Sequence, residues 1–126
     1  MGKAKFYVCK HCGNVAGLVV DKGVPLGCCG EKMSELVANT VDASREKHVP
    51  SVSKEAGKIV VKVGDIAHPM EEKHFIEFVY VEAKNSGQKK KLSPSDEPTA
   101  TFTFVDDEPV AVYAYCNIHG LWVTQI

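Results

Sequence analysis

No run of apolar residues in this sequence is long enough to cross a bilayer, which takes about 20 in a helix. The opening Met1-Gly2-Lys3-Ala4-Lys5 leads into strand-like sequence without the apolar core of a secretory signal. Membrane insertion and secretion are therefore not expected, and a cytoplasmic location is. An excess of one charge is also missing: 15 Lys and Arg face 16 Asp and Glu, for a formal net charge of -1. Nucleic-acid binding starts from a basic surface, so no nucleic acid is expected as a partner. No internal repeat is present. At 126 residues the chain holds one modest hydrophobic core and a small appendage, not two ordinary domains.

An even cysteine count is lacking too. Five cysteines would leave one thiol outside any closed set of disulfides, and a reducing compartment favours metal thiolates. Four of them form two short groups, Cys9-Lys10-His11-Cys12-Gly13 and Cys28-Cys29-Gly30. Turns ending in glycine let two sulfurs from each group meet at one ion, and four thiolates suit tetrahedral zinc or iron. The adjacent pair Cys28-Cys29 should skew that tetrahedron. Phe6-Tyr7-Val8 and Val15 to Val20 read as the strands of a hairpin built around these ligands, and His11 should project to solvent. Composition changes beyond Met33, which places a soft boundary at Ser34 to Val37 and gives domains 1–36 and 37–126.

Past the boundary, β-branched and aromatic residues alternate with polar ones in Lys58 to Val63, Phe75 to Val81, Thr99 to Phe104, Val110 to Tyr115 and Leu121 to Ile126. Short strands separated by Gly, Pro and Asp turns, with no crossover helix, predict an antiparallel β-sandwich of immunoglobulin-like form. A short helical turn is expected within Asn39 to Lys47, stopped by Pro50. The run Lys89-Lys90-Lys91 reads as edge-strand protection against aggregation.

Four of the five histidines and the remaining cysteine fall between these strands: His48, His68, His74, Cys116 and His119. Each histidine alone has a bland explanation as a solvated or partly buried loop residue. Four of them gathered with a lone thiol point instead to a mixed nitrogen and sulfur metal site with redox chemistry. Pro50 and Pro69 stiffen the backbone beside two of the histidines, which lowers the entropy lost when an ion fixes them.

These motifs together resemble desulfoferrodoxin, the two-iron form of superoxide reductase, over essentially the whole chain. The resemblance rests on C-x-x-C and Cys28-Cys29, on Glu46-Lys47-His48-Val49-Pro50, on Ala67-His68-Pro69-Met70-Glu71-Glu72-Lys73-His74, and on Tyr115-Cys116-Asn117-Ile118-His119-Gly120. It implies two iron ions per chain. Cys9, Cys12, Cys28 and Cys29 would hold one in a desulforedoxin-like or rubredoxin-like domain, and His48, His68, His74, His119 and Cys116 the other. It implies one-electron reduction of superoxide to hydrogen peroxide at the second iron, through an open sixth position. Lys47 would sit over that opening and Glu46 would occupy it in the ferric resting state. A homodimer is a further implication, and a small acidic electron donor such as rubredoxin, attracted by Lys89-Lys90-Lys91, is an expected partner.

Two other classes compete. A blue-copper carrier combines a β-sandwich with histidine and a C-x-x-H loop, but it usually adds a weak methionine ligand soon after the last histidine. Methionine is scarce here, at Met1, Met33 and Met70, and none follows His119. A zinc-ribbon module would explain the four N-terminal cysteines and leave the second cluster without a purpose.

Overall fold

The computed structural model describes residues 2–126; Met1, the first residue of the expected domain 1–36, lies outside them. The chain forms two compact units, Lys3–Val37 and a larger one of Gly2 with Ala38–Ile126.

In the smaller unit, β1 (Phe6–Val8), β2 (Val15–Gly17) and the later β5 (Ser34–Glu35) make a three-stranded antiparallel sheet in the order β2-β1-β5. The return strand ends at Gly17, short of Val20. Between them β3 (Gly27–Cys28) and β4 (Glu31–Lys32) form a separate hairpin. Its two turn residues, Cys29 and Gly30, have φ of 52° and 76°. A two-residue hairpin loop of this kind needs positive φ at both positions because its twist must match the strands. Glycine adopts that readily, whereas a cysteine there costs energy, and this sharp turn is what lets two adjacent cysteines point to one side.

The larger unit is the expected sandwich. Its single helical turn, α1 (Arg45–His48), ends before Pro50 as the missing N–H of proline requires. One sheet contains β6 (Pro50–Glu55), β7 (Lys58–Val63) and β10 (Thr99–Thr103) in the order β10-β7-β6. The other contains β8 (Ile76–Ala83), β9 (Gly87–Lys91), β11 (Pro109–Cys116) and β12 (Gly120–Gln125) in the order β12-β11-β8-β9. All pairings are antiparallel, and the three-plus-four arrangement is immunoglobulin-like. Lys89, Lys90 and Lys91 lie exposed on β9, an edge strand.

Inner faces supply the core: Val61 and Val63 from β7, Ile76, Val79 and Val81 from β8, Val112, Ala114 and Cys116 from β11, all buried. Strict alternation would send Ile76 and Val79 to opposite faces. A register shift between Tyr115 and Cys116 resolves this, since Tyr115 pairs with Phe78 and Cys116 with Ile76. Glu77 is the extra residue. This bulge restores Ile76 to the core face and falls where β11 delivers Cys116, as bulges beside functional sites often do.

Candidate metal centres

In the smaller unit, Cys9 follows β1, Cys12 sits on the next turn, and Cys28 and Cys29 come from the β3–β4 hairpin. Their four sulfurs lie within 4.8 Å of one another. Metal–sulfur bonds of about 2.3 Å in a tetrahedron put sulfurs about 3.8 Å apart; Cys12 and Cys28 are separated by 3.6 Å, Cys28 and Cys29 by 4.0 Å. The turn is built by Gly13, at φ 83°, whose N–H donates to the Cys9 carbonyl at 2.8 Å. The four sulfurs are close enough to share protons through hydrogen bonds, one giving its proton up and another keeping it. Cys9 falls to about 6, chiefly because the Cys12 backbone N–H points at its sulfur, while Cys29 is pushed up to about 12 by its hydrogen bond to Cys9 and then by those to Cys12 and Cys28. A cation is the natural replacement for the shared protons. His11 is exposed and pairs with Glu31 at 3.0 Å, on the rim and outside the sulfur set.

In the larger unit, His48 closes α1, His68 and His74 occupy the segment between β7 and β8, Cys116 ends β11, and His119 lies in the turn to β12. The four imidazoles form a closed ring. Neighbouring centroids are 4.6 Å (His48–His68), 4.8 Å (His68–His74), 5.1 Å (His74–His119) and 4.9 Å (His119–His48) apart, each pair edge to face. His48 and His74 face each other across it at 6.4 Å. Nitrogens bound at about 2.1 Å and at right angles would lie about 3.0 Å apart. His48 Nε2 is 3.1 Å from both His68 Nε2 and His119 Nδ1.

Ring orientation is set by hydrogen bonds on the far nitrogens. His48 Nδ1–H donates to the Ser44 carbonyl at 2.6 Å and His68 Nδ1–H to the Pro69 carbonyl at 2.7 Å. Both Nε2 atoms are left as bare lone pairs that converge in a buried space. Converging lone pairs are stable only around a cation or a proton, so the donor set itself calls for a metal. Burial holds both imidazoles neutral: His68 drops to about 4 and His48 also falls below its ordinary value, in each case mainly through desolvation. His74 Nε2 is buried with no hydrogen-bond partner. An orphaned buried nitrogen facing three other imidazoles fits a metal ligand better than a hydrogen-bonded core histidine.

Cys116 approaches from the core side and is fully buried. Its sulfur lies 4.0 Å from His119 Nδ1 and accepts the His119 backbone N–H at 3.4 Å. Burial pushes the thiol pKa up, and backbone N–H groups of His119 and Ile118 work against that. His74 and His119 are only partly buried, so solvent reaches the ring from the side away from the core. Glu46 and Lys47 precede His48 on α1 with exposed side chains, and no side-chain hydrogen bond ties either to the imidazoles.

Several supports carry no advance sign in the sequence. Trp122, fully buried, stacks on His48 at 5.0 Å and donates its indole N–H to the His119 carbonyl at 3.1 Å. Gly64, at φ 85°, lies so close to Lys47 that a Cβ would sit 2.7 Å from its Cα. The β7 end and α1 are further joined by the Gly64 N–H to Val49 and the Ile66 N–H to Glu46. Met70, the methionine nearest the cluster in sequence, accepts the Ile76 N–H on its sulfur at 3.5 Å. Four imidazoles and a thiol also exceed the two histidines of a blue-copper site.

The family model for desulfoferrodoxin matches residues 40–125. The chain belongs to the desulfoferrodoxin family. It is 45% identical over 123 residues to a desulfoferrodoxin of Syntrophotalea carbinolica, covering 98% of this chain and 97% of that one. Among solved structures, the superoxide reductase of Treponema pallidum superposes with a TM-score of 0.82 at 30% identity, covering 98% of this chain and all of the other. A superoxide reductase of Giardia intestinalis described as 1Fe matches with a TM-score of 0.57 at 27% identity, covering 64% of this chain and 97% of its own. The two donor sets are those of the two iron centres of a desulfoferrodoxin, one of four cysteines and one of four histidines and a cysteine. No helix among the described residues is long and apolar enough to cross a membrane.

Proposed function

We propose that this chain is a superoxide reductase. Superoxide takes up one electron and two protons and leaves as hydrogen peroxide; His48, His68, His74, His119 and Cys116 would hold the ferrous ion that would supply the electron. The observation that supports this best is the closed ring of four imidazoles with a buried thiol on one side and solvent on the other.

The residues divide the remaining work. Ser44 and Pro69 carbonyls keep two imidazoles in the tautomer that offers Nε2. Cys116 brings negative charge from the buried side and leaves the outer side for a small anion. Lys47, one residue from His48, raises the local concentration of that anion and donates a hydrogen bond where charge develops. Glu46 supplies the carboxylate that covers the opening in the resting state. Within this reading residues 1–36 form a desulforedoxin-like iron domain and 37–126 the reductase domain. The four-cysteine centre is structural or relays electrons from a rubredoxin-like donor. A cytoplasmic homodimer acting in detoxification completes the proposal.

The test is product stoichiometry. Ferrous protein in a superoxide flux should yield one peroxide per superoxide consumed, with no oxygen. Oxygen and peroxide in equal amounts would mean dismutation and overturn the reading. In the same assay Lys47→Ala should react more slowly and lose most of its dependence on ionic strength.

A further inference from the structure

Two of the four imidazoles are braced at the ring by a backbone carbonyl, His48 by Ser44 and His68 by Pro69, and the backbone of His119 is held by the Trp122 indole on its carbonyl. The His74 ring has no such brace, and its Nε2 is buried without a partner. Its direction must therefore come from its backbone. The His74 N–H donates to the Glu71 carbonyl at 3.0 Å and the Glu71 N–H to the His74 carbonyl at 2.9 Å. On either side of His74, the peptide groups go to a single residue of the other ligand loop. Asn117 Oδ1 accepts the Phe75 N–H at 3.0 Å, and Asn117 Nδ2 donates to the Lys73 carbonyl at 3.0 Å. The Asn117 N–H adds a third bond, to the Phe75 carbonyl at 3.2 Å.

We propose that Asn117 is a positioning residue for His74: its side chain grips the peptides before and after His74 and aims the unbraced imidazole into the metal site. An exposed asparagine in a turn is ordinarily a solvated one. Here both ends of the amide are used, and the chemistry is selective. A carbonyl oxygen must face the Phe75 N–H and an NH₂ must face the Lys73 carbonyl. Aspartate matches the first and repels the second. Because Asn117 follows Cys116 directly, the grip also ties the placement of His74 to that of the thiol.

This rests on the ligand set proposed above, so the test is iron retention in the full chain, measured without superoxide. The ferrous protein is challenged with a chelator, and loss of the thiolate-to-iron absorption of the mixed centre is followed on reoxidised aliquots. Asn117→Ala should lose that iron about tenfold faster or more, with Asn117→Asp between it and the unmodified chain. The four-cysteine centre should keep its spectrum. In a His74→Ala background, Asn117→Ala should add less than about a twofold effect, because residues acting as one unit are not additive. Unchanged retention in Asn117→Ala, or the same large factor with and without His74, would overturn the inference. If the alanine variant does not fold, Asn117→Asp in both backgrounds decides by the same two criteria. An unmodified chain that holds no iron at this centre sinks the ligand set and the inference together; one that holds iron while both variants do equally well sinks the inference alone.

Discussion

Burial settles the protonation of the ligand histidines before any ion arrives. His68 is 2% exposed and its pKa falls from the ordinary 6.5 to about 4. In the unfolded chain it returns to about 6.5, so between these values the unfolded state binds more protons and stability rises with pH. The contribution is fully present above pH 6.5 and is lost as pH falls through about 4. His48 shifts in the same direction and adds to it. Urea unfolding of the metal-free chain should therefore show stability falling from pH 7 to pH 4, by up to about 3 kcal/mol from His68, and His68→Gln should flatten that slope. A flat profile in the unmodified chain would contradict the account. At this scale the donors were legible in the sequence, because imidazole and thiol are distinctive groups. What braces them was not: the Ser44 and Pro69 carbonyls belong to the backbone and leave no mark in residue type, and Trp122 reads as an ordinary core aromatic.

Secondary elements show which patterns a period of two can and cannot reveal. Strands buried on one or both faces, such as Lys58–Val63 and Pro109–Cys116, stand out in the sequence. The edge strands Pro50–Glu55 and Gly87–Lys91 have few apolar residues to bury, so the first goes unpredicted and the second shows only its lysines. The bulge at Glu77 breaks the alternation within β8, and nothing in local composition announces it. Gly64 is likewise silent until the fold is known. It joins the turn that carries His68 to the helix that carries Glu46, Lys47 and His48, in a left-handed conformation with the Lys47 backbone 2.7 Å from where a Cβ would stand. Gly64→Ala combines backbone strain of about 1 to 2 kcal/mol with overpacking of about 1 to 3 kcal/mol. Thermal or denaturant unfolding should register a loss of about 2 to 5 kcal/mol. A change under about 0.5 kcal/mol would mean that the helix and the turn are not held together at this glycine.

For the whole molecule, fold and site are one problem. Donors from His48 to His119 meet only because a sandwich folds the ends of α1, β7 and β11 and the start of β12 to one place, and no local segment contains the ring. Alternation predicted the sandwich, and residue type predicted the donors. Their convergence could be inferred only by treating all five as one site. In the other unit the sequence spacing itself gathers the ligands, so the four-cysteine centre was legible more directly. The central claim is that the mixed centre, and not the four-cysteine one, gives its electron to superoxide. A single-turnover experiment tests this most directly: fully ferrous protein is mixed with less than one equivalent of superoxide, and the two centres are followed by their separate absorption bands. The account predicts prompt oxidation of the mixed centre, one equivalent per superoxide, with an equal amount of peroxide. Prompt oxidation of the four-cysteine centre with the mixed centre still ferrous, or release of oxygen, would contradict it.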